Sequence, residues 1–161
     1  MSDPLVSTLS RDVVRAAFPE ELPAFDAVAG AYFKRGDRLL RRRRGSQDPL
    51  GFGLADVETV ATAYTLVYAN EIVKELGLLW LKRTGAQART RFERFRRRRA
   101  PRPTPEQMRE VLASLTPEQR AAILSVAGTV TRKVGAPADL AERITYEMDL
   151  RLRAETDPDA L

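Results

Sequence analysis

The chain has no cysteine and no histidine among its 161 residues. The first absence removes disulfides and thiolate metal ligands. The second removes imidazole as a general base and as a metal ligand. Together they exclude Ser-His and Cys-His nucleophilic centres, leaving carboxylate, Lys, Tyr or Ser/Thr chemistry. No stretch of about 18 residues is free of charge, so no membrane span is expected. The N-terminal MSDPLVSTLSRD lacks a basic region followed by an apolar core, so no signal peptide is expected. A cytoplasmic location is the expectation that follows. Phosphate-cradling glycine motifs are also missing: GSQDPLGFG at 45–53 has neither the Gly-Lys-Ser/Thr ending nor the strand–glycine–helix setting.

Arginine, by contrast, is abundant. It outnumbers lysine 23 to 4, and its distribution says more than the net charge of +5. Residues 34–44 carry seven basic groups and one acid; residues 82–102 carry ten and one. These two segments sum to +15, leaving −10 for the remainder of the chain. Arg41–Arg44 and Arg96–Arg99 are each four consecutive arginines. On a helix, four consecutive residues point in four directions, so such a run does not fit a single flat partner surface. Its self-repulsion favours a diffuse anion, and guanidinium matches phosphate by bidentate geometry. A solvated surface that reflects codon bias and is neutralised by the chain's own acidic tail is the plain alternative.

The apolar pattern is helical throughout. The longest such stretch, residues 54–83, places Val57, Val60, Ala61, Tyr64, Val67, Tyr68, Ile72 and Leu79 on one face. Before it, residues 4–18 predict a first helix on Leu5, Leu9, Val13, Val14 and Phe18. A second opens near Pro23 with Phe25, Val28, Ala29, Tyr32 and Phe33 on one side. Gly36-Asp37 also permits a hairpin turn. Thr84-Gly85 reads as the end of the long helix, with residues 86–99 a separate or kinked helix. Three prolines in residues 100–105 read as a connector.

TPEQ occurs at 104–107 and again at 116–119, each a capping box with proline in the first turn. The first predicts a short helix on Met108, Val111, Leu112 and Leu115. The second predicts a longer one on Ile123, Val126, Ala127, Val130 and Val134, ended by Gly135. A last helix after Pro137 follows from Leu140, Ile144, Met148 and Leu152, each four apart. The tight junction between the first two resembles a helix-turn-helix only superficially. Arg120, Arg132 and Lys133 are the only basic groups of the second helix, too few to read base edges.

The expected fold is therefore all-α: a bundle built around one long central helix, about 54–83, with a C-terminal three-helix unit. Residues 1–99 would form the main bundle, 100–105 the connector, and 104–161 the C-terminal unit with its acidic tail. The expected function is non-enzymatic binding of a polyanion, with nucleic acid favoured over acidic protein or anionic lipid. Arg41, Arg42, Arg43, Arg44, Arg94, Arg96, Arg97, Arg98 and Arg99 would make the contacts. Phe92 and Phe95 would pack onto the core, stack on bases or enter a membrane surface. No cofactor and no metal is expected.

The alternative is a helical adaptor that binds a protein or a second copy of itself through the apolar end of the long helix at Trp80. Leu78, Leu79, Trp80 and Leu81 make that end apolar all round, which predicts burial all round. Glu71 and Glu75 share a side with Tyr64 and Tyr68. They are either a carboxylate site or paired edge residues, and pairing with arginines from another helix is the favoured reading.

Overall fold

Leu5, Val6, Leu9, Val13, Val14 and Ala17 are all buried along helix α1, Pro4–Ala17. The computed structural model describes residues 4–35, 60–92 and 103–156, with backbone only at Arg35, 84–92 and Thr156. Phe18 and Pro19 end α1. A 3₁₀ turn, Pro19–Ala24, contains Pro23 and leads directly into α2, Phe25–Arg35. The second helix thus opens two residues after the proline expected to start it. Phe25, Val28, Ala29 and Tyr32 are buried on it, and Phe33 packs edge-on against Tyr32 at 5.4 Å. The Gly36-Asp37 hairpin expectation lies outside the described residues.

The central helix is α3, Val60–Phe92, 33 residues long. It departs from the expected 54–83 at its C-terminal end, running through Thr84 and Gly85 without interruption. A helical glycine costs only about 1 kcal/mol relative to alanine. Gly85 is followed by Ala86, Gln87, Ala88 and Arg89, all good helix formers, so the helix carries it. Residues 54–59 lie outside the described residues.

From Ala61 to Ala69 every residue of α3 is buried. The sequence stripe marks only one side, yet Ala63, Leu66 and Ala69 are buried as fully as Tyr64, Val67 and Tyr68. Helices on several sides are the cause. α3 packs on α1 and α2, and on three later helices: α4, Pro105–Ala113; α5, Pro117–Lys133; and α6, Ala138–Thr156. α6 in turn packs on α1 and α5. One hydrophobic core runs from Leu5 to Leu152 through all six α-helices of the described residues. The protein is an all-α bundle around a long central helix.

Local chemistry fixes the ends of the later helices. Thr104 and Thr116 are extended, and each hydroxyl accepts the amide of the glutamine three residues on, at 3.3 and 3.2 Å. Each glutamine returns its side-chain oxygen to the threonine amide, at 2.8 and 3.1 Å. α5 closes with Gly135 at φ +102°. The amide of Gly135 donates to Arg132 O and that of Ala136 to Thr131 O, a Schellman closure.

The buried side of α5 is Ile123, Leu124, Ala127, Gly128 and Thr131, whereas Val126 is exposed. Counting large apolar side chains alone misplaces this face. It includes Gly128, where a Cβ would lie 3.7 Å from Thr145 Oγ1 and 3.9 Å from the Tyr68 ring. On α6, Ile144, Met148 and Leu152 are fully buried, as their spacing predicts.

Candidate polyanion interface and the helix that carries it

The basic segment 82–102 begins on α3, where the helix leaves the core. Leu76 is the last buried residue among its described side chains, and Leu81, Lys82 and Arg83 are exposed. The backbone continues as helix to Phe92, nine residues past Arg83. At about 1.5 Å per residue that is roughly 13 Å of helix. The sequence places Arg89 and Arg91 on this length, after Lys82 and Arg83, with no acid between 76 and 92. Cations at a helix C-terminus also complement its negative end.

Arg83 has an internal role. Its guanidinium donates to Ser114 Oγ, to Ser114 O at 3.2 Å and to Gln119 Oε1 at 3.4 Å. Ser114 is the C-cap of α4, and Gln119 belongs to the capping box of α5. One arginine of the basic segment thus ties the central helix to the α4–α5 junction.

Of the residues expected to contact a polyanion, Arg41, Arg42, Arg43, Arg44, Arg94, Arg96, Arg97, Arg98 and Arg99 lie outside the described residues, as does Phe95. Phe92 is the last residue of α3. Trp80 is half-buried and packs against the core beside Leu79. Within the single chain this end is not buried all round: Leu78 is 50% exposed and Leu81 40%. Here the described bundle covers one side of α3 only.

Glu71 and Glu75 are both half-buried. Glu71 pairs with Lys74 of its own helix at 2.5 Å, and the arginine runs available for the expected pairing of Glu71 and Glu75 lie outside the described residues. Among the described residues no group of three or more acidic side chains is placed to hold a metal ion. The buried carboxylate of the described structure is Glu21, 6% exposed. Its Oε1 accepts from Ala61 N at 3.0 Å and its Oε2 from Thr62 N at 2.6 Å. Sequence reasoning missed this pairing, and nothing local signals it, because the partner amides lie 40 and 41 residues away.

The buried phenols answer to the fold as well. Tyr68 Oη donates to Leu124 O at 2.9 Å. Burial raises its pKa above the ordinary value, against the opposing effects of a hydrogen bond with Thr145 and the charge of Arg132. Burial raises Tyr64 likewise.

No helix of the described residues is long and apolar enough to cross a membrane. Compared with protein-family models, curated proteins and solved structures, the chain matches none.

Proposed function

We propose that the protein is a non-enzymatic, cytoplasmic polyanion-binding protein. Its ligand is nucleic acid, held with little sequence preference by Arg41–Arg44 and Arg94–Arg99. The observation that carries this reading is the charge of +15 confined to residues 34–44 and 82–102 of a chain otherwise at −10. The continuation of α3 to Phe92 supports it, because the helical backbone extends to within two residues, in sequence, of the second arginine run. Affinity comes chiefly from release of counterions condensed on the phosphates.

The test is fluorescence anisotropy of a labelled random-sequence duplex across a salt series. Affinity should fall steeply with salt, by about 0.9 log units per log unit of salt for each phosphate neutralised. Replacing Arg96–Arg99 with glutamine should weaken binding equally for unrelated duplexes. Unchanged affinity, or no binding at low salt, overturns the reading.

A further inference from the structure

Beyond Leu76, α3 has two unlike sides. Leu76 and Leu79 face the core, and Arg83 on the same side reaches Ser114. Roughly opposite them lie Gly77, Leu78 and Leu81. A Cβ added at Gly77 would meet no atom within 4 Å, and Leu78 and Leu81 are exposed. Because the helix is uninterrupted to Phe92, the sequence extends this row to Gly85, Ala88 and Phe92. Leu78, Leu81, Gly85, Ala88 and Phe92 alternate spacings of three and four, the a and d positions of two heptads. Lys82 and Arg89 hold the e positions on one edge. Arg91 holds a g position on the other.

We propose that this face of α3 docks an acidic amphipathic helix of a partner protein, with apolar residues along its seam and Asp or Glu along its edges. The heptad spacing fits a helix, and the small residues Gly85 and Ala88 in mid-row allow close approach of another backbone. Charge selects the partner. Both edges are cationic wherever charged, so a second copy laid on this row in either direction brings like charges together, whereas acidic edges complement them. Gly85 and Ala88 give a bilayer little apolar area to bury. A duplex supplies phosphate but nothing for Leu78 and Leu81. This surface goes beyond the polyanion reading and does not depend on it.

The experiment uses the full chain and a labelled synthetic peptide of several heptads with Leu at a and d and Glu at e and g. Saturable binding is expected, weakened at least about tenfold by Leu78→Asp with Leu81→Asp. The same variant should bind the random duplex as the parent does and keep its circular dichroism. Lys82→Glu, Arg89→Glu and Arg91→Glu together should transfer preference to a peptide with Lys at e and g, a gain that misfolding cannot produce. Equal binding of a Glu peptide with Ser at a and d would overturn the proposal in favour of plain arginine electrostatics. So would absence of binding at low salt. Leu78-dependent binding to phosphatidylserine–phosphatidylcholine vesicles without peptide binding would overturn it in favour of a membrane.

Discussion

The carboxylate of Glu21 holds the amides of Ala61 and Thr62, one on each oxygen, and so fastens the 3₁₀ turn before α2 to the first turn of the central helix. The first amides of a helix have no acceptor within it, and the positive end of the helix favours an anion there. Glu21→Ala would leave two buried donors unmet. It should lower the unfolding free energy by about 2–3 kcal/mol, in the range of charge-assisted hydrogen bonds. Glu21→Gln, which keeps one acceptor oxygen, should lose about half as much. Urea unfolding of the two variants checks this. A loss below about 0.5 kcal/mol for Glu21→Ala, the level of an ordinary surface substitution, would refute it.

The neighbouring Thr62 gives the opposite sign. Its hydroxyl is buried with no hydrogen-bond partner among the described residues. Thr65, three positions on, returns its hydroxyl to Ala61 O at 2.7 Å. Thr62→Val keeps the shape and removes the unmet polar atom, so it should stabilise the protein by about 1 kcal/mol. Thr65→Val should be neutral or destabilising. Thermal melts of the pair decide between an unsatisfied hydroxyl and a satisfied one.

Tyr68 links stability to alkaline pH. Its pKa is raised above 10.0, chiefly by burial, so the folded state favours the neutral phenol. A group raised in the folded state contributes fully below its unfolded pKa and loses that contribution as pH rises through the folded value. Stability should therefore fall above about pH 10. Tyr68→Phe should cost about 1 kcal/mol at neutral pH through the missing hydrogen bond to Leu124 O. It should also flatten the alkaline decline. Urea midpoints measured from neutral to alkaline pH test both parts, and an unchanged alkaline slope in the variant would contradict the second.

These residues also separate what the sequence shows from what it does not. The capping boxes at Thr104 and Thr116 and the stop at Gly135 are legible because their chemistry is complete within a few residues. The core of α6 is legible because Ile144, Met148 and Leu152 are large, apolar and four apart. Glu21 is not legible, since its partners are 40 and 41 residues away. The all-round burial of 61–69 is also hidden, because alanine and threonine there serve close helix approach without looking like a core. Leu78 and Leu81 mislead in the other direction. They look like a buried end, but no helix of the described residues covers their side. The arginine runs are legible as charge alone, because sequence supplies their number and order but not their placement.

Arg83 tests whether the basic segment acts as one unit. By composition it belongs with the arginines that follow, but its guanidinium is committed to Ser114 and Gln119. Its acceptors are neutral and its side chain is exposed, so its contribution to stability is modest. Arg83→Gln should cost about 1 kcal/mol or less. The cost should appear where α4 meets α5, as faster amide hydrogen exchange at Leu115 and Arg120. Because this guanidinium is already engaged, the same variant should leave the salt slope of duplex binding unchanged. Arg96–Arg99→Gln should instead reduce that slope by up to about 0.9 for each phosphate no longer neutralised. Equal slope changes per charge removed would show that charge alone governs the segment. A difference would show that the fold divides it into an arginine that holds the bundle together and arginines that hold the ligand.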